Sequence, residues 1–199
     1  MKLADIQPAI QLVSGHLLVT GLRELTYLAT YPAMIAIGAA IDVPNSVKFH
    51  QLATLVYGWM PRIVRIDPAH CASAIAAFDS AVAASQTNIG NASIKSIADC
   101  LHSVVGASKL LHFANPEVFP IWDRHIEIFR ANPGSDVTSV PQYMDYMREV
   151  HSIRAEAGFP EFYDGFCAAY AARLKANGIM TYEISQVRAI EAAAFELVL

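Results

Sequence analysis

Cysteine is scarce in this chain of 199 residues: Cys71, Cys100 and Cys167 stand far apart and form no C-x-x-C pair. That argues against a disulfide framework or a zinc ribbon and leaves too few ligands for a four-cysteine iron–sulfur cluster, so a reducing cytoplasm is the expected compartment. Charge is scarce too. Only 16% of residues are charged against 54% apolar, and the mean hydropathy is +0.34. Disordered chains need the opposite balance, so the composition predicts a packed globular protein, expected as one domain over 1–199. There is no surplus of positive charge, since 14 Lys+Arg minus 18 Asp+Glu gives −4. Residues 1–130 hold nine acids and nine bases, whereas 131–199 hold nine acids and five bases. A polyanion would therefore be met by the first two-thirds of the chain.

Other absences narrow the chemistry. The seven histidines include no H-E-x-x-H, and Cys100-Leu-His102 is too closely spaced for the usual ligand patterns, so neither a metal nor another cofactor is expected. No G-x-S-x-G supplies a serine nucleophile and no G-x-x-x-x-G-K cradles a phosphate. The opening MKLADIQPAI carries an acid and a proline where a signal peptide needs a basic start and an apolar run. The most apolar stretch, Leu25 to Ile41, is interrupted by Thr26, Thr30, Tyr31 and Pro32 and is too short for a membrane span.

What remains has a helical period. Ile6, Ile10, Val13 and Leu17 recur at helical spacing, as do Ala74, Ala77, Phe78, Ala81 and Val82 after the start signal Asp67-Pro68. Asn91-Ala-Ser93, Val140-Pro141, Pro160 and Ser185 open further helices, and Asn177-Gly178 closes one. No β-branched alternation, fixed-period repeat or low-complexity tract is present. The pattern predicts an all-α protein of about eight to ten helices. A cleft between two lobes is one arrangement this allows, with the breaker-rich 131–136 as the boundary.

One stretch departs from generic helix: Ser103-Val-Val-Gly106-Ala-Ser108-Lys109, then Asn115-Pro116 and Pro120-Ile-Trp122-Asp123-Arg124-His125-Ile126. Gly106 suits the left-handed turn that ends a helix, a short helix then carries Lys109, and the breakers deliver Asp123 to the start of another. An amine and a carboxylate fourteen residues apart can then face one cleft from consecutive helices.

This arrangement resembles the helix-hairpin-helix DNA glycosylases, in particular the 8-oxoguanine DNA glycosylase fold. Pro120-Ile-Trp-Asp123-Arg-His125-Ile126 is similar to the family's V-D-x-H-[VI] motif, and Gly106 with Lys109 to its hairpin and lysine. Tyr57-Gly-Trp59-Met-Pro61 and Arg188-Ala-Ile-Glu191 resemble segments of bacterial proteins assigned to the same fold. The family hairpin carries two glycines where this chain has one, and its lysine-to-aspartate interval is longer by about one helical turn. The resemblance implies excision of a damaged or modified base from DNA, with Lys109 as nucleophile, Asp123 as its electrostatic partner and strand-nicking lyase activity in addition. The base must leave the stack, which requires a pocket or wedge; Trp59, Phe113, Trp122 and His125 are the candidates, with Phe119 also available. Gly106, Ser108, Arg62, Arg65, Lys95 and Arg124 are the candidates for the hairpin and the DNA backbone, beside Arg130 and Lys48.

Plainer alternatives stay open for each. Asp123 also reads as a helix cap, Lys109 as a solvated lysine, His125 as a partly buried, hydrogen-bonded histidine, the tryptophans as core and the bases as scattered surface charge. A non-catalytic helical module that pairs with itself as a homodimer, or with another protein, fits the low charge and the single-glycine hairpin.

Overall fold

The computed structural model describes residues 1–60, 62–85, 90–130 and 137–198; the predicted boundary at 131–136, and Pro61, lie outside them. Eleven helices lie among the described residues: α1 (Leu3–Ile6), α2 (Ala9–Gly15), α3 (Leu22–Ala39), α4 (Asn45–Trp59), α5 (Pro68–Val82), α6 (Asn91–Leu101), α7 (Val104–Ala114), α8 (Arg124–Phe129), α9 (Val140–Ile153), α10 (Phe159–Ala176) and α11 (Gln186–Glu196). The described residues contain no strand, so the protein is all-α as its periodicity predicts. No helix among them is long and apolar enough to cross a membrane.

The start and stop signals act as their chemistry dictates. Asp67 accepts the Ala69 N–H at 2.9 Å ahead of Pro68 at the first position of α5. Ser139 and Ser185 cap α9 and α11, and Gly178, at φ +69°, follows the end of α10 in the left-handed conformation. The helical spacing of Ile6, Ile10 and Val13 is divided between two helices, and Leu17 lies beyond the second. Pro8 has no N–H to donate, so α1 stops at Ile6 and α2 restarts at Ala9.

The apolar stretch is α3, and Pro32 lies inside it. A proline leaves the carbonyl one turn earlier without its helical donor. Here the Tyr182 hydroxyl donates to Leu28 O at 2.9 Å, so the break in the ladder is repaired from outside. At its other end α3 presses on α7, where a Cβ on Gly38 would lie 1.8 Å from Phe113 O.

Helix α7 is central. It packs on α3, α4, α5, α6 and α9, and eight of its eleven residues are buried, as befits a helix enclosed on most sides. Its His112 is fully buried: Nδ1–H donates to Phe119 O at 2.7 Å, which leaves Nε2 to accept from the Tyr31 hydroxyl at 2.9 Å. Burial pushes this imidazole down to about 3.

Two outcomes follow. Gly38→Ala forces α3 off α7 and is expected to cost about 1–3 kcal/mol in urea unfolding. The native state refuses a proton at His112 that the unfolded chain binds, so stability is intact above the unfolded value of 6.5 and declines as pH falls from there toward about 3. Urea midpoints compared at pH 7 and pH 5 should fall for the wild type, and fall less for His112→Phe.

Candidate functional site

The break expected at Gly106 lies earlier. α6 ends at Leu101, His102 takes the left-handed conformation at φ 49°, and Ser103 caps α7 by accepting the Gly106 N–H at 2.9 Å. Gly106 therefore sits inside the first turn of α7. Its lack of a side chain serves packing instead: a Cβ there would meet the Tyr57 hydroxyl at 2.9 Å. That hydroxyl donates to Leu101 O at 2.6 Å and so fastens the end of α6 to α4. Histidine tolerates the left-handed region better than most residues, which hid this turn from a search for glycine. A helical hairpin is present, with a two-residue connection that contains no glycine.

Ser108 is also corrected. It is fully buried and so unavailable to a phosphate. Its Oγ accepts the Trp122 N–H at 3.1 Å and shares its single proton between Val105 O at 2.9 Å and Trp122 O at 3.2 Å. The segment thus clamped to α7 is buried over 118–122 and forms neither helix nor strand, and each carbonyl along it needs a donor. Val118 O receives His151 at 2.8 Å, Phe119 O receives His112, and Pro120 O receives the Tyr143 hydroxyl at 3.0 Å. Residues 108 and 122, thus pinned together, immediately precede Lys109 and Asp123.

Asp123 acts as the cap of α8. Its Oδ1 accepts from His125 N at 3.0 Å and Ile126 N at 3.3 Å, while Oδ2 has no hydrogen bond among the described residues. Among the described residues, capping engages one oxygen and not the other.

Lys109 is half-buried, not solvated. Its Nζ lies 5.5 Å above the centre of the Trp59 ring, and no ion pair or hydrogen bond reaches it from the described residues. Burial pushes its amine below the ordinary lysine value, against the upward pull first of Asp123 and then of Glu191; Arg188 and Arg23 push in the same direction as burial. Among the charges acting on the amine, Asp123 is therefore the strongest.

Sequence reasoning singled out Arg188 and Glu191 only as part of a flanking resemblance. In the structure they form a nearly buried ion pair on α11, with the Arg188 guanidinium 4.9 Å above the Tyr31 ring. Burial is the largest influence on Arg188 and opposes its charge, but Glu191, Tyr170 and Tyr31 together hold its pKa above the ordinary value; burial raises Glu191 in turn. Two opposite charges three residues apart in an alanine-rich helix were the available signal. Trp59 completes the floor, 4.6 Å from Tyr27 and 5.3 Å from Phe113 between ring centres. Its Nε1 is buried and has no partner among the described residues.

The other candidates disperse. Trp122 is fully buried and donates Nε1–H to Glu127 at 2.7 Å, and Phe113 lies beneath Trp59 and Tyr31. Neither presents a face to a displaced base, so both are core. His125 is exposed, with its ring 5.1 Å from that of Phe195. Arg62, Arg65 and Arg124 are exposed, and Lys95 is tied to Asp99 at 2.7 Å, which compensates its charge locally. Lys109 and Asp123 line neither of two cavities, one of about 510 Å³ beside Tyr163, Tyr170 and Tyr182 and one of about 570 Å³ beside His102, Ser103 and Val140. No group of three or more His, Cys, Asp or Glu among the described residues is arranged to hold a metal ion.

Replacing Lys109 removes a desolvated charge and should raise stability. Below the folded-state value the amine is charged both folded and unfolded, so the penalty is fully present; it fades as pH rises toward the unfolded value of 10.5. Lys109→Met is expected to gain about 0.5–2 kcal/mol at pH 7, and less at pH 10, in denaturant titrations. No protein-family model matches this chain, and neither a curated protein nor a solved structure is significantly similar to it.

Proposed function

We propose that this chain is a DNA N-glycosylase that excises a damaged or modified base, with lyase activity through the same lysine. One observation carries the reading: a half-buried amine with no ion-pair partner among the described residues, on which Asp123 is the strongest acting charge. The resemblance of residues 106–126 to the helix-hairpin-helix glycosylases supplies the reaction class.

The chemistry follows from the groups present. Breaking an N-glycosidic bond builds positive charge on the sugar, and the unengaged oxygen of Asp123 stabilises it. Lys109, neutral once its proton is shed, attacks the anomeric carbon as the base departs with the bonding electrons, and the resulting aminal opens to a Schiff base. Burial favours the neutral amine, while Trp59 beneath it limits where the amine can point. Exposed Arg23 and Arg124 provide positive charge near Asp123 for the flanking phosphates.

The test is borohydride trapping of the full chain on duplexes that carry oxidised, alkylated or deaminated bases or an abasic site. Wild type is expected to form a covalent adduct and Lys109→Gln none. Asp123→Asn should slow excision by about 100-fold or more. Adduct formation should rise with pH until the amine is fully neutral. Absence of both adduct and excision across these substrates would overturn the reading.

A further inference from the structure

A second constellation lies away from Lys109, where α4, α5 and α6 meet. Cys71 stands in the early part of α5, and its Sγ is 3.6 Å from Nε2 of His50 on α4. The other ring nitrogen of His50, Nδ1, lies 2.7 Å from Ser46 O. A carbonyl only accepts, so Nδ1 carries the ring proton and Nε2 presents its lone pair to the thiol. Nucleophile, base and orienting group thus stand in the order that activates a cysteine.

Cys100 on α6 is the third member. It is fully buried, its S–H donates to Asp67 O at 3.7 Å, and the Cys71 thiol is one of the groups acting on it. The backbone fixes this neighbourhood, because Asp67 N, one turn before Cys71, donates to Cys100 O at 2.9 Å. The two thiols differ in environment: Cys71 is half-exposed beside an exposed histidine, whereas Cys100 has no access to solvent.

We propose that Cys71 and Cys100 are an oxidation-sensitive thiol pair, in which His50 activates Cys71 toward hydroperoxides and Cys100 closes the product to a disulfide between α5 and α6. His50 Nε2 takes the Cys71 proton, and the thiolate attacks the outer peroxide oxygen. The O–O bond breaks, the sulfur becomes a sulfenic acid, and the departing alkoxide or hydroxide recovers the proton from His50. The Cys100 sulfur then attacks the Cys71 sulfur, and the sulfenic hydroxyl leaves with the Cys100 proton as water. Two thiols are oxidised and one peroxide is reduced. Burial pushes the Cys100 thiol up to about 11, with neighbouring Cys71 the next cause, and this makes Cys100 the responder rather than the initiator.

Cys167 is the internal reference. It is half-buried against Tyr163, and burial raises its thiol above the ordinary value. On the intact native chain, iodoacetamide should alkylate Cys71 at least about ten-fold faster than Cys167. Limiting hydrogen peroxide should remove two hydrogens from the intact mass, leave Cys167 as the alkylatable thiol after denaturation and yield a peptide joining Cys71 to Cys100. In Cys100→Ser, dimedone should label Cys71. His50→Gln, a change at an exposed position, should slow peroxide consumption about ten-fold or more. Equal alkylation of Cys71 and Cys167 in the wild type, oxidation without the joined peptide, or an unchanged rate in His50→Gln would each overturn the proposal. The alkylation ratio needs no variant and decides even if one fails to fold.

Discussion

The position of both charged groups at the candidate site depends on one buried hydroxyl. Ser108 holds the peptide of Trp122 by its N–H and carbonyl, and this sets the register between α7 and the irregular segment before α8. A serine in a helix interior ordinarily competes with the helix by bonding back to its own turn. Here it does so through Val105 O and bridges to the segment as well. Around it, His151, His112 and Tyr143 satisfy successive carbonyls that would otherwise be stranded away from water. Three polar side chains, of which His112 and Tyr143 are fully buried, thus serve the backbone and leave the segment little freedom to slide.

Charge is sparse in this chain, which makes its concentration near Lys109 informative. The Arg188–Glu191 pair on α11 and the amine on α7 are all withdrawn from water, and an ion pair so placed gains little stability over well-packed hydrocarbon. Desolvated titratable groups that act on one another mark sites of chemistry more often than sites of packing. The aromatic floor of Trp59, Tyr27 and Tyr31 holds these cations by their ring faces, and that contact is directional where burial alone is not.

The fold was legible because its signals are local. Asp67-Pro68, Ser185 and Asn177-Gly178 begin or end helices through bonds within a few residues, and apolar spacing reports the buried face directly. The errors arose where a residue type had two uses. Gly106 read as a helix stop, yet its missing side chain makes room for Tyr57, while His102 made the turn. Trp122 and Phe113 read as candidates for contact with a base because large aromatics serve cores and ligands alike, and only burial separates the two uses. At the candidate site, Lys109 and Asp123 were visible as a pair of residue types, but the burial of the Arg188–Glu191 pair and a Trp59 N–H with no partner among the described residues were not.

By itself, then, the sequence determined that this is a helical protein, where most of its helices begin, and which amine and carboxylate lie on consecutive elements, because each of these follows from interactions within a turn or two of chain. Tertiary structure decided that the amine is desolvated, which carboxylates act on it, and that His50 meets Cys71 across two helices. Those properties depend on water excluded by residues distant in sequence, and no local pattern encodes that exclusion.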